Sequence, residues 1–360
     1  MLSAAIEGMF LNSELFDHQR GASNKGYKKI DMGTLVLSTQ NLHLGNANVN
    51  LRFEHGMVSP AYKTYHIHDC SIKLIAELVK SDKAKRFFYN ATTVGASVCR
   101  RNVEWDTLYD QPLYLPSSIE QECLATFLSA LSSRINKQTE LVEHLKKYKR
   151  GVIEAIFNRT ISFSPNAEDS WKEFRLGEFA RRVTRKNGQT TDVPLTISAQ
   201  HGLIDQREFF SKTVASSDMS GYYLLHKGDF AYNRSTSSEY PYGSIKRLDK
   251  YDKGAVSTLY LCFEANEEIV DSDFIMWYFE SSRWHNGVRE ICAEGARNHG
   301  LLNVPTAGFF DTVHYLPSDK AEQKRIASFL SSLDERYTRA FSELEELNKL
   351  QKGLYQGLFI

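Results

Sequence analysis

Three stretches of the chain carry residue types whose spacing could do chemistry. Glu322-Gln323-Lys324 has the Glu-x-Lys spacing of magnesium-dependent nucleases. A near-copy of it reads Glu120-Gln121-Glu122, which would be a damaged site, and Glu322 stands at a helix start, so both are read as structure. His66 and His68 lie two apart on an expected strand beside Asp69 and Cys70, yet no third metal ligand can be identified. Residues 21–26, GASNKG, approach a phosphate-binding loop, but Tyr27-Lys28 stands where Lys-Ser/Thr is required. No Pro-Pro pair occurs, so the amino-methyltransferase signature is absent, and no nucleophile–base arrangement is recognisable from order alone. The expectation is a chain that is not an enzyme, with no metal and no cofactor of its own.

A second kind of chemistry is binding. Lys and Arg neutralise phosphates, while Arg, Asn and Gln present paired donors and acceptors to base edges. In the second half, Arg181, Arg182, Arg185, Lys186 and Asn187 share one short stretch. Asn233, Arg234, Ser235 and Thr236 follow, with Tyr240 and Tyr242 near Lys246 and Arg247, and then Arg297 and Asn298 beyond the Gly295 turn. The first half offers Gln40, Asn41, His43, Asn46, Asn48, Lys63, Arg100 and Arg101. These are the candidate DNA-contacting residues. The blander alternative for each is a solvated arginine or an Asn/Gly turn. The run Lys146, Lys147, Lys149, Arg150 is set aside as a wet helix face, because its twin is Asn348, Lys349, Gln351, Lys352.

The elements that must position these loops are written twice. EQECLATFLSAL begins at Glu120 and EQKRIASFLSSL at Glu322, an offset of 202 held without a gap to Phe157 and Phe359. Leu115-Pro116-Ser117 and Leu316-Pro317-Ser318 precede the copies, and Ser117 or Asp319 stands three residues before a Glu, as in a capping box. Beyond them Leu124, Leu128, Leu131, Ile135, Val142 and Leu145 step by threes and fours. So do Ile326, Leu330, Leu333, Tyr337, Ala340, Leu344 and Leu347. Such a seam asks for a partner helix, and each copy is the obvious partner of the other. Weaker echoes link Gly26-Tyr27 and Gly33 to Gly221-Tyr222 and Gly228, with strands expected at 35–38 and 257–263.

The expected fold class is α+β, a pseudo-two-fold repeat of globular α/β domains separated by two long helices that pair as an antiparallel coiled coil. The expected division is 1–115, helix 116–160, 161–316 and helix 317–360. About 25 residues from Trp171 onward have no counterpart before Met1, so the first domain reads as shortened. Completion through a second copy of the chain and a naturally shortened variant both stay open. Formal net charge is zero, which leaves any nucleic-acid contact to a local patch. Five scattered cysteines without a CxxC pair argue for reduced thiols. With no apolar run of membrane length, the expectation is a cytoplasmic protein without a membrane partner.

The repeated phrase with its terminal Lys352-Gly353-Leu354 to Leu358-Phe359 resembles the specificity subunits of Type I restriction–modification enzymes. LGEFARRVT at 176–184 and KGDFAYNR at 227–234 look like that family's target-recognition domains. The resemblance implies two target-recognition domains, each reading half of a split double-stranded DNA site. It implies a helix pair that sets the gap and docks two modification (methyltransferase) subunits. S-adenosylmethionine, ATP and magnesium would then be held by partner subunits, including restriction/motor subunits. A coiled-coil adaptor whose domains bind other proteins remains the alternative.

Overall fold

The protein is described here by a computed structural model that covers all residues except 7, 17–24, 98–99, 164–169, 199–201, 210–217, 239, 293–299 and 359–360; the side chains of 95–97, 100, 209 and 358 also lie outside it. Contacts divide the chain into two units: Met1–Val142 with Arg339–Ile360, and Glu143–Thr338.

Unit 1 opens with a hairpin of β1 (Leu2–Ala4) and β2 (Met9–Leu11). Then come β3 (Lys28–Asp31), β4 (Leu35–Ser38), β5 (Ala47–Val49), β6 (His55–Val58) and β7 (Tyr62–Tyr65). β4 is central, paired antiparallel with β5 and β7, while β3 pairs with β6. Alternate residues of a strand face opposite ways, so β4 feeds two cores. Leu37 joins Ala47, Ile75, Phe88 and Leu108 beneath helices Ile72–Leu78, Asp82–Asn90 and Trp105–Asp110. Val36 joins Leu2, Met9, Ile30 and Val58 on the other face. The first two of these helices begin at Ser71 and Ser81, whose hydroxyls accept the Leu74 and Ala84 N–H groups. A hairpin of β8 (Thr92–Ser97) and β9 (Arg100–Val103) leads into the third.

Unit 2 repeats the plan and adds to it. It starts with β10 (Trp171–Arg175), a helical turn Leu176–Phe179 and β11 (Ala180–Arg182). There follow the hairpin β12 (Leu195–Ser198) and β13 (Gly202–Asp205), then β14 (Tyr223–His226), β15 (Phe230–Asn233), β16 (Ser244–Arg247), β17 (Lys253–Val256) and β18 (Leu261–Ala265). Helices Ser272–Glu280, His285–Ile291 and Thr306–Asp311 precede β19 (Val313–Pro317). The main sheet runs β11-β18-β15-β16, with β14 on β17 and β10 on β19. Phe179, Phe230, Phe263, Phe274 and Phe309 fill one face, and Val183, Leu225, Ala231, Leu248 and Cys262 the other. Gly33 and Gly228 hold repeat-equivalent turns at φ +87° and +95°, a conformation that costs other residues and not glycine. The strand expected from residue 257 starts at Leu261, because Ser257–Tyr260 closes a turn.

The long helices are Ser118–Phe157 and Lys320–Leu358. Leu128, Leu131, Ile135, Val142, Ile326, Leu330 and Leu333 are buried, while Leu124, Leu145, Tyr337, Leu344 and Leu347 are half-buried. The helices run antiparallel where they meet. In unit 1 Arg134 pairs with Glu343, the Gln138 amide donates to the Ala340 carbonyl at 2.8 Å, and Gln351 donates to Ser132 Oγ at 3.1 Å. In unit 2 Lys149 pairs with Asp334 at 2.6 Å and lies over the Tyr337 ring. Lys149 therefore leaves the solvated face to which the sequence reading assigned it. With the offset of 202, Lys149–Asp334 and Gln351–Ser132 are one contact made twice, and Gln138 meets its own repeat mate.

The two glutamines of the repeated phrase do one job. Gln121 accepts the Ser71 N–H at 2.8 Å and donates to the Pro116 carbonyl at 2.9 Å. Gln323 accepts the Asp271 N–H at 2.6 Å and donates to the Pro317 carbonyl at 2.8 Å. Ser71 and Asp271 are the N-caps of equivalent helices. The two glutamates differ. Glu120 closes a capping interaction on Ser117, whereas Glu322 is 2% exposed and accepts from Ser170 Oγ and Trp171 Nε1. The helix start at Asp319 is therefore capped by that aspartate alone, through the Ala321 N–H.

His314 in β19 sits among Phe179, Tyr278 and Phe279. Thr312 Oγ1 donates to the Phe309 carbonyl, which leaves it to accept from His314 Nε2, and Nδ1 accepts from Tyr278. Both ring nitrogens are thus satisfied in the neutral form, and burial holds the imidazole down to about 3 from its ordinary 6.5. The unfolded chain binds a proton there that the folded unit refuses. Stability from this site is complete above about pH 6.5 and drains as pH falls toward 3, by up to about 1.4 kcal/mol per pH unit. We expect a denaturant midpoint that falls between about pH 7 and about pH 5, with a shallower fall in His314→Gln; equal slopes would contradict the assignment.

Candidate nucleic-acid interface

Each unit carries a polar loop after its central strand, and in unit 2 that loop is held against the segment before the last short helix. In unit 1 Ser38 Oγ accepts the N–H groups of Gln40 and Asn41, turning the chain into a 3-10 helix Leu42–Leu44 that leaves Gln40 and Asn41 exposed. His43 lies close enough to Arg101 on β9 for its charge to lower the imidazole pKa, after the larger effect of burial. In unit 2 the loop after β15 is pinned to the segment after residue 299. Thr236 donates to the Gly300 carbonyl through its N–H at 2.7 Å and its hydroxyl at 3.0 Å, and the Leu302 N–H donates to the Arg234 carbonyl at 3.0 Å. An isolated bridge joins Ser235 to Leu301.

Three nominated side chains, Asn46, Asn48 and Asn187, are buried, which corrects the reading that they are exposed to a ligand, and several half-buried ones are engaged within their own unit. Asn48 is 1% exposed and Asn46 is buried; their amides donate to the carbonyls of Ala5 and Ala4, and Lys80 donates to Asn48. Asn187 is buried and closes a turn onto Thr191 and Met219. Arg101 spends Nε and Nη2 on Thr92 and stacks on Tyr89 at 4.1 Å. Lys63 lies over the Trp105 ring at 4.4 Å. Arg185 pairs with the buried Asp229 and with Glu264; burial still pushes the Asp229 carboxyl up, against the guanidinium's pull. Lys246 pairs with Glu280, and Arg247 with Asp249 and Asp273. Asp229 is the buried partner in this set, so removing Arg185 would leave its carboxylate uncompensated.

The remainder faces solvent or half faces it. Arg181 and Arg182 are exposed on the edge strand β11, without an ion-pair partner among the described residues. Lys186 is exposed, with its ammonium on the Gly221 carbonyl and over Tyr223. Ser235 is exposed, and Asn233, Thr236, Tyr240 and Tyr242 are half-buried; Asn233 Oδ1 accepts the Ser235 N–H, and Tyr242 lies against His285. Arg234 reaches the Leu259 carbonyl through Nη2 and keeps a buried Nε with no partner among the described residues. The Arg100 side chain, Arg297 and Asn298 lie outside the described residues.

The roles of Gln121, Gln323, Tyr89 and Lys80 were missed. For the glutamines the signal was present, since each sits at the same place after a proline. His66 and His68 are exposed, and among the described residues no group of three or more His, Cys, Asp or Glu could hold a metal. No helix among those residues is long and apolar enough to cross a membrane.

No protein-family model and no curated protein sequence matches the chain. Among solved structures, the Type I restriction-modification system S subunit of M. genitalium superposes with a TM-score of 0.58 at 14% identity, over 95% of this chain and 86% of that one. A chain from a structure of complex assembly and conformational transition of the type I R-M system gives 0.52 at 14%, over 94% and 84%. The HsdS subunit from Thermoanaerobacter tengcongensis gives 0.49 at 14%, over 94% and 83%. The chain shares the fold of the first two.

Arginines three residues apart should behave oppositely. Arg182→Ala should shift stability by less than about 0.5 kcal/mol, as exposed substitutions do. Arg185→Ala should cost about 1–3 kcal/mol, because Asp229 is left buried and under-bonded. Denaturant midpoints of the two variants measure this, and a costly Arg182→Ala beside a silent Arg185→Ala would reverse the assignment.

Proposed function

We propose that the chain is a DNA-specificity subunit of a Type I restriction–modification system, not itself an enzyme, whose two units each read one half of a split duplex site. The observation that supports this reading is the polar loop after the central strand of each unit: in unit 2 Arg234, Ser235 and Thr236 are held against residues 300–302, and in unit 1 the repeat-equivalent loop leaves Gln40 and Asn41 exposed. Loops held on a sheet can vary in sequence while their places stay fixed, which suits a reader whose target changes. The shared fold supports the same reading.

On this proposal Arg181, Arg182 and Lys186 contact phosphates, and the loop tips contact base edges. Two modification subunits dock along the long helices and bring S-adenosylmethionine, with the target adenine flipped out of the duplex. Restriction or motor subunits bring ATP and magnesium. Helix length sets the gap between half-sites, because duplex geometry converts a protein distance into helical phase. The competing adaptor reading requires no DNA affinity.

Titration of duplex DNA across salt concentrations, with the chain alone and with modification subunits, separates the two. Counterion release gives a log–log slope of about −0.9 per phosphate contacted, and replacing Arg181 and Arg182 together by alanine should make that slope shallower by about 1–2. Affinity that is absent under both conditions would favour the adaptor.

A further inference from the structure

In unit 2 the helix Ser118–Phe157 carries a carboxylate into the turn before the helix His285–Ile291. Glu154 accepts the Ser282 N–H at 2.8 Å and the Ser282 hydroxyl at 2.7 Å. Two basic residues accompany this contact in the sequence: Arg150 stands one turn before Glu154, and Arg283 follows Ser282. The seat is filled by an anion that the chain itself supplies.

Unit 1 keeps the basic pair and drops the anion. With the offset of 202, Gln356 stands where unit 2 has Glu154, and Lys352 where it has Arg150. With the offset of 200 that makes Ser71 and Asp271 equivalent N-caps, Asp82 is the mate of Ser282, and Lys83 of Arg283. A cavity of about 170 Å³ opens at this place, and Lys83, Lys352, Asn348, Gln356 and Tyr355 line it. Neither Lys83 nor Lys352 has an ion-pair partner among the described residues, and Gln356 makes no hydrogen bond to Asp82 among them. Asp82 is the acid of the lining, and its carboxylate pairs with Lys85 at 3.0 Å. Lys80 also reaches the cavity, with its ammonium donating to the Ile6 carbonyl at 2.8 Å and to Asn48. Behind the lining, Glu77 accepts from the Tyr355 hydroxyl at 2.5 Å and from Ser132 at 3.1 Å. Both carboxylates near the basic pair are therefore taken up by other donors.

We infer that this cavity of unit 1 binds a small free oxyanion of the phosphate class, held by the ammonium groups of Lys83 and Lys352 and the side-chain amides of Asn348 and Gln356. Two like charges on one small cavity repel, and a dianion between them turns that repulsion into attraction. Its oxygens would accept charge-assisted hydrogen bonds, the strongest kind that these donors make. Unit 2 shows the preference of the seat, since the occupant there is a carboxylate. Ligands of nucleotide size need roughly 300 Å³ or more, so the cavity suits an inorganic or short organic anion. The inference goes beyond the proposed function and requires neither duplex nor modification subunits.

The test is isothermal titration calorimetry of the full chain with inorganic phosphate, with chloride holding the ionic strength constant. One saturable site is expected, weakened about tenfold by Lys83→Gln and by Lys352→Gln, because each removes a charge-assisted hydrogen bond. Gln356→Glu restores the carboxylate of unit 2 and should abolish phosphate binding. Lys352 and Gln356 are exposed and Lys83 is half-buried, so the variants should fold, and circular dichroism checks that they do. Absence of saturable binding would overturn the inference. So would binding that Gln356→Glu leaves unchanged, which would put the anion elsewhere on the chain. A short duplex that displaces the phosphate would assign the seat to a nucleic-acid backbone and overturn it equally.

Discussion

A glutamine side chain buried between a proline carbonyl and a helix N-cap is the bond on which both units are hung. Gln121 and Gln323 each use the amide oxygen for the N–H of a helix N-cap residue and the amide nitrogen for a proline carbonyl. A buried amide that lost either partner would bear a desolvation cost with nothing to offset it. The bracket therefore fixes where each long helix leaves its globular part, and the direction in which it leaves. Residues around it can drift as long as the glutamine, the proline and the capped helix stay. That is the physical reason the phrase survives twice while the loops do not.

The helix seam adds register to this. Leu, Ile and Val along it would tolerate a slide of one heptad, but its polar members would not. Gln138 meets the backbone of its own repeat mate Ala340, and the equivalent contacts Lys149–Asp334 and Gln351–Ser132 use a charged pair in unit 2 and a neutral one in unit 1. A displaced register would strand Gln138 in an apolar seam and separate Lys149 from Asp334. The same backbone geometry has thus been kept by different chemistry, as expected when position is constrained and residue type is not.

Much of this was legible in the sequence, and for identifiable reasons. A helix writes its buried face at every third or fourth residue, so Leu128, Leu131, Leu330 and Leu333 announced the seam and the repeat announced the partner. The side chains of the loops carried no such periodicity. Asn46 and Asn48 have the composition of a base-reading loop, yet the carbonyls that claim them, Ala4 and Ala5, are 42 and 43 residues away in sequence and invisible to spacing. Arg185 and Arg182 look alike in a stretch of basic residues, and only the buried Asp229 beneath one of them tells them apart. Glu322 stands in the first turn of its helix, as its place in the sequence indicates, but the contact of its carboxylate with Trp171, far away in the sequence, is invisible to spacing. Gln138 was passed over because a polar residue interrupts the apolar count, although it sits in the middle of the seam.

The proposed function has two readers sharing one duplex at a separation set by helix length. It is tested most directly by selecting sites from a randomised duplex library with modification subunits present, using the chain as it is and with one heptad inserted into both long helices. Two short specified blocks with an unspecified gap are expected, and the inserted heptads should change the gap while the blocks stay the same. A single contiguous site, or blocks that change while the gap stays, would contradict it.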